Sequence, residues 1–265
     1  MKRVATLLLL ALALPSAASP QASGKKRRPL PYEYGTVVIK NHSEGAGLAP
    51  VVFEHWLHRA KYTCRLCHVD IGFAMKAGAT DIKAADNMRG FYCGACHRKP
   101  SAGGKAAFEA CTQASPREQR PVCLRCHSDG KNVKPEIEFS SFTRNLPKGR
   151  FGNGVDWEKA ELEHIISPVD YLEGVSIRRK PIAAQKDFAL EPKLIGMPNI
   201  IFSHSKHTVW NGCELCHPEI FVGVKKGTTK YSMVEIFDGK YCGACHAAVA
   251  FPLLDCQRCH TTPVQ

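Results

Sequence analysis

Residues 53–97 read FEHWLHRAKYTCRLCHVDIGFAMKAGATDIKAADNMRGFYCGACH, and residues 202–246 read FSHSKHTVWNGCELCHPEIFVGVKKGTTKYSMVEIFDGKYCGACH. At an offset of 149 they align without a gap, and eighteen of forty-five positions are identical. Self-similarity at a fixed offset marks a duplicated structural unit. The shared positions are mostly Cys, His and Gly rather than aliphatic core. They include Phe53/Phe202, His55/His204, His58/His207, Cys64/Cys213, Cys67/Cys216, His68/His217, Gly90/Gly239, Tyr92/Tyr241 and the whole Cys-Gly-Ala-Cys-His at 93–97 and 242–246. Beyond this stretch each copy continues to an aromatic, Phe108 or Phe251, and one more Cys-x-x-Cys-His. The first copy has sixteen extra residues there, Cys111 among them.

Composition bounds what the unit can be. The 265 residues are 44% apolar and 23% charged, which excludes a disordered, collagenous or polytopic membrane chain. With 8% aromatics, a core of side chains alone would be thin. The cysteine count, thirteen, is odd and clustered, which argues against a plain disulfide scaffold.

At the N-terminus, Lys2 and Arg3, an apolar run from Val4 to Leu14 and Ser16-Ala17-Ala18 read as a cleaved export signal over residues 1–18. The run is too short to span a bilayer, and no later stretch provides the roughly twenty apolar residues a transmembrane helix needs. A basic arm follows over 19–35, and Tyr32 to Lys40 reads as a short strand. The remaining expected divisions are a first module at 36–135, a Pro-punctuated linker at 136–201 and a second module at 202–265. The linker has one predicted helix, N-capped by Asp156 and running to about Ile166.

Cys-x-x-Cys-His occurs six times: Cys64-Cys67-His68, Cys93-Cys96-His97, Cys123-Cys126-His127, Cys213-Cys216-His217, Cys242-Cys245-His246 and Cys256-Cys259-His260. Two thiols three residues apart reach both vinyl groups of one haem as thioethers, and the adjacent imidazole then lies under the iron. Paired cysteines also serve zinc, but zinc does not explain a His after every second Cys. Thioredoxin-like dithiols would need a βαβ setting that is missing here. Six covalently attached haem c groups are therefore expected, with one cysteine, Cys111, left over.

The histidines agree with this count. Six of the twelve belong to the motifs, leaving His42, His55, His58, His164, His204 and His207, so two axial imidazoles per haem would use all twelve. His55/His58 and His204/His207 sit at i and i+3, on one side of a helical turn, where they can reach two irons close together.

Each copy resembles a trihaem cytochrome of the class III multihaem family, the cytochrome c7 type within the cytochrome c3 superfamily. The resemblance rests on Phe-x-His-x-x-His followed by three Cys-x-x-Cys-His motifs, and in the second copy also on Gly-Lys-Tyr-Cys-Gly-Ala-Cys-His (239–246) and Ala-Phe (250–251). It covers 53–127 and 202–260. It implies a mainly irregular, haem-templated fold of two trihaem modules with short α-helices and little β structure. It also implies that His55 and His204 ligate the haems of His68 and His217, while His58 and His207 ligate those of His97 and His246. Family members carry a further histidine just before the second motif, where this chain has Asn87-Met88-Arg89-Gly90 and Ile236-Phe237-Asp238-Gly239. His42 is the candidate for the haem at His127. For the haem at His260 it is His164, placed on an inward face of the predicted helix. Met75, Met88, Met197 and Met233 are rivals, with core packing as their blander role.

Haems filled on both sides by protein transfer electrons rather than bind substrate, and two imidazoles without Met favour low potentials. The expected protein is an electron-transfer cytochrome of the periplasm or cell envelope, with no catalytic residue and with redox proteins as donor and acceptor. It has no transmembrane segment after signal cleavage and is compatible with a membrane-associated or oligomeric assembly. The alternatives are a multihaem reductase using an open third haem and a subunit of an extracellular electron-transfer assembly. The formal charge of +12 does not call for nucleic acid. Losing Lys2 and Arg3 and gaining twelve propionates and six ferric centres leaves the oxidised protein at about +4 and the reduced one at about −2.

Overall fold

The computed structural model describes residues 28–98, 107–111, 121–128, 135–180, 183, 185–192, 196–223 and 225–261; the expected signal and residues 19–27 of the arm lie outside them. Over these residues the chain is mostly irregular, with short helices and two small sheets. Among the described residues no helix is long and apolar enough to cross a membrane.

Each copy opens on an antiparallel strand pair. Strand β1 (Thr36–Ile39) pairs with β2 (Val51–Glu54), setting Val37 opposite Phe53 and Ile39 opposite Val51. Strand β3 (Phe188–Leu190) pairs with β4 (Ile200–Phe202), setting Phe188 opposite Phe202 and Leu190 opposite Ile200. β1 lies within the expected strand-like run. β3 falls inside the stretch expected to be linker, because three residues are too few to display a strand period.

β2 and β4 feed directly into the histidine helices, His55–Arg59 and His204–Asn211. In the second, Ser203 Oγ accepts from the Lys206 N–H at 3.3 Å, as an N-cap should. Further on, helices Ala84–Arg89 and Met233–Phe237 occupy equivalent positions in the two copies. Left-handed Gly90 and Gly239 follow them, then left-handed Tyr92 (φ 48°) and Tyr241 (φ 52°). The turn brings the next motif back against its own helix. A Cβ on Gly94 would lie 1.9 Å from the Asn87 carbonyl oxygen, and one on Gly243 1.9 Å from that of Ile236. Only glycine fits either place.

The side-chain core is small and lies to one side. Trp56 and Ala60, on one face of the first histidine helix, pack with Phe139, Leu146, Val155, Trp157, Ala160 and Ile166. Trp56 meets Phe139 edge to face at 5.2 Å. The 136–180 segment is thus packed into the body of the protein. Its helix Trp157–Leu162 begins where expected, with Asp156 Oδ1 accepting from the Lys159 N–H at 3.1 Å, but ends four residues short of Ile166. The reason is a Schellman turn: His164 is left-handed (φ 55°), its N–H bonds to the Glu161 carbonyl at 2.9 Å and the Ile165 N–H to that of Ala160 at 2.9 Å.

Ion pairs tie this segment to both copies. The fully buried Asp70 carboxylate meets Arg65 at 3.3 Å and Arg179 at 2.7 Å; Arg179 continues to Glu214 at 2.6 Å, and Arg65 to Asp170 at 2.6 Å. Arg65 and Glu214 are the residues between the cysteines of the first and fourth motifs, so the network joins the two attachment loops. Asp156 and Glu158 hold Arg258 of the last motif at 2.8 and 3.3 Å, and Glu158 also pairs with Lys206.

Candidate haem sites

Ten of the twelve histidines share one arrangement: ring Nδ1 faces a backbone carbonyl. His68 and His217 meet Phe73 (2.8 Å) and Phe221 (2.7 Å); His97 and His246 meet Phe108 (3.3 Å) and Phe251 (3.0 Å); His127 and His260 meet Ala49 (2.9 Å) and Pro198 (2.8 Å). His55 and His204 meet Gly35 (2.6 Å) and Lys186 (3.1 Å), and His58 and His207 meet Glu54 (3.0 Å) and Ser203 (2.7 Å). A carbonyl can only accept, so the proton resides on Nδ1 and the Nε2 lone pair is left free. Metal-bound imidazoles are oriented in this way by their outer nitrogen. The acceptors correspond between copies for the third motif, which lies outside the gapless alignment, while for the first motif they are one position out of register. His127 and His260 also bridge to equivalent strand residues, Val51 and Ile200.

Three imidazole pairs stand at nearly one spacing. Ring centres are 6.4 Å apart for His55 and His68, 6.3 Å for His58 and His97, and 6.2 Å for His207 and His246. A metal–nitrogen bond of about 2.0 Å plus about 1.1 Å from Nε2 to the ring centre, taken on both sides, gives about 6.2 Å. The rings therefore fit two imidazoles on opposite faces of one iron. Phe53 and Phe202 support the distal rings alike, meeting His55 and His204 edge-on at 4.8 and 5.0 Å and His58 and His207 at 4.3 and 4.5 Å.

Between these groups runs a connected cavity of about 1220 Å³, lined by ten of the twelve motif cysteines and by His55, His58, His68, His97, His207, His246 and His260. A usual small-molecule pocket has about 300–1,000 Å³. Burial acts on both ligand types. It lowers His55 and His246 to about 4, keeping the imidazoles neutral and able to ligate, and it raises the thiols of Cys67, Cys93 and Cys245 to about 12. Among the described residues no three His, Cys, Asp or Glu side chains gather as a bare metal ion would need. The donor set fits haem: cysteine pairs on the walls and imidazoles facing across the space.

The two candidates for the third haems are placed differently. His42 offers Nε2, the nitrogen a ligand would use, to Asp81 at 2.5 Å near the surface. His164 is exposed on the Schellman turn and not on an inward helix face, because the helix has already ended. Met75, Met88, Met197 and Met233 are 37 to 41% exposed, so they do not pack the core; Met75 and Met233 instead line the cavity. Cys111 has φ 54°, and its Sγ receives Asn87 Nδ2 at 3.8 Å.

Covalent attachment motifs, tethered imidazoles and a cavity in place of a core define a multihaem c-type cytochrome. The chain belongs to the family of cytochrome c7 and related cytochrome c, whose model matches residues 51–128 and 200–261, more than half of its length. Among solved structures it is similar to the C-terminal hexahaem fragment of GSU1996, with 24% identity over 86% of this chain and 98% of that one and a TM-score of 0.26. It is likewise similar to the dodecahaem cytochrome c GSU1996, with 23% identity over 87% of this chain and 75% of that one and a TM-score of 0.26. No curated protein matches the chain.

Proposed function

We propose that this is a hexahaem electron-transfer cytochrome of two trihaem modules, exported through its N-terminal signal and acting in the periplasm or cell envelope between redox protein partners. The observation that carries the proposal is the tethering of ten imidazoles by Nδ1, three pairs of them at a spacing that would admit one metal ion between them. In this reading the motif cysteines anchor six haems and the motif histidines are proximal ligands. His55, His58 and His207 complete the irons of His68, His97 and His246, and His204, the counterpart of His55, completes that of His217. Held by two imidazoles each, the haems would supply electron exchange without a substrate position, at low potential for want of a Met ligand.

A second reading rests on His42, whose Nε2 is taken by Asp81, and on His164, which is exposed. Here the haems at His127 and His260 keep an open sixth position, and the protein is a reductase. Mass spectrometry of the exported protein and EPR of its oxidised form separate the readings. Six covalent haems, all low-spin and inert to cyanide, are expected of the conduit. A high-spin signal from two haems that cyanide abolishes would favour the reductase, and fewer than six haems would defeat both.

A further inference from the structure

Arg59, the last residue of the first histidine helix, has a setting that the ligand arrangement does not explain. Its guanidinium lies between two indoles, 4.9 Å from the Trp157 ring and 5.3 Å from the Trp210 ring. One belongs to the segment between the copies and the other to the second copy's histidine helix. Nη1 donates to the Val249 carbonyl of the second copy at 3.0 Å, while Nε is shielded from solvent without a partner. Among the described residues no carboxylate pairs with it within 4.0 Å.

The groups whose charge would support the guanidinium are Cys64, Tyr34 and Glu161. Cys64 as a thioether is neutral. Tyr34 is neutral as well, since burial pushes its phenol up to about 12. Glu161 remains, but its carboxyl also takes a hydrogen bond from Trp210. Arginine keeps its proton even here, and stacking on two indoles is how a poorly hydrated guanidinium is tolerated in a buried place. The result is a fixed positive charge inside the protein. Arg59 lines the same cavity as His55 and Cys64 of the first copy and His246 and Cys245 of the second, and its bond to the Val249 carbonyl holds it three residues from His246 in the chain. Cys64, Cys216 and Cys245 line that one cavity, so attachment sites of both copies open onto the space beside Arg59.

We propose that Arg59 is a potential-setting residue at the seam between the two copies: its buried charge raises the reduction potentials of the haems attached at Cys64/Cys67 and Cys242/Cys245. The proposal rests on the haem reading above. One electron arriving at a bis-imidazole Fe(III) converts it to Fe(II) and lowers the charge of the site by one. A fixed cation nearby favours the less positive state, and low-dielectric surroundings transmit the effect. The seam haems thereby become the place where an electron rests when it passes from one copy to the other.

The test measures individual haem potentials by NMR-monitored redox titration of the holoprotein, after mass spectrometry has counted its haems. Arg59→Gln is expected to shift the reduction equilibrium of the two seam haems about tenfold toward the oxidised form, about 59 mV for one electron, and to leave the haems at Cys123/Cys126 and Cys256/Cys259 unmoved. Arg59→Lys, which retains the charge, should keep the two potentials close to those of the wild type. Glu161→Gln should shift the same two haems slightly in the opposite direction. Six unchanged potentials in Arg59→Gln, or six that shift alike, would overturn the proposal while leaving the haem reading intact; a haem count below six would overturn the reading itself. If Arg59→Gln does not accumulate, the wild type provides the measurement. The gap between seam and outer haems should persist from low to molar salt, because a buried charge is poorly screened, and a gap that collapses with salt sinks the idea.

Discussion

The two copies keep the same chemistry on different supports. In both, Phe-x-His-x-x-His presents two tethered imidazoles, and Phe53 and Phe202 brace them with nearly the same distances. Behind the imidazoles the copies diverge. In the first, Trp56 is 2% exposed and Ala60 8%, both in the core. In the second, their counterparts are Ser205 and Val209, the latter 58% exposed, and ion pairs of Lys206 and Arg258 with Asp156 and Glu158 hold the copy in place. The paired imidazoles and the phenylalanine that braces them are retained, while what merely backs the helix is exchangeable between packing and surface charge.

The largest consequence should appear behind the first histidine helix. Trp56→Ala removes an indole from the centre of the only side-chain core among the described residues and should cost about 3–5 kcal/mol. Ser205→Ala, at the equivalent place, should stay within about 0.5 kcal/mol. Denaturant unfolding of the two holoproteins measures both. Equal losses would mean that the copies are supported alike and would break the comparison.

A smaller effect should be common to both copies. Gly94→Ala and Gly243→Ala each drive a methyl group into a carbonyl oxygen at 1.9 Å, so the motif loop must move. Overpacking of this kind costs about 1–3 kcal/mol. Since Gly94 and Gly243 sit in the shared Cys-Gly-Ala-Cys-His, the two losses should agree, and thermal unfolding of the pair checks this. A large disagreement would show that even the haem-facing parts have drifted.

This contrast also explains which features were legible in the sequence. Thioether and iron chemistry demand particular residues at fixed spacing, so the six motifs, the histidine pairs and the mainly irregular, haem-templated fold could be read from residue types alone. The tethers could not, because a carbonyl belongs to every residue: Gly35 and Lys186 hold equivalent histidines and share no side-chain property. β3 was too short to show a period. The end of the Asp156 helix has no mark in the sequence, because a histidine, not a glycine, takes the left-handed position that closes it. Arg59 looks like an ordinary basic residue until Trp157 and Trp210, about 100 and 150 positions away, are brought to either side of it. The one available hint was its place directly after His58 of the Phe-x-His-x-x-His element.

The smallest expected effect again divides the copies, this time through pH. Glu54 precedes His55, whereas its counterpart before His204 is Ser203, which does not titrate in this range. Burial, with help from the nearby negative charge of Glu138, raises the Glu54 carboxyl to about 6 from an ordinary value of 4.5. Between these values the folded chain holds a proton that the unfolded chain has released, so stability falls as pH rises through the window and stays lower above it. His55 and His246 have the opposite slope, since burial lowers them to about 4 and folded chains bind fewer protons there than unfolded ones below 6.5. That contribution is present in the wild type and in Glu54→Gln alike, and it cancels in their difference. Melting temperatures of the two should therefore lie closest near pH 4, separate in favour of Glu54→Gln up to about pH 6, and then run parallel. Ser203→Ala should add no pH-dependent difference of this kind. A constant offset across the whole range for Glu54→Gln would mean that Glu54 contributes packing and not charge, and that the two copies differ here only in shape.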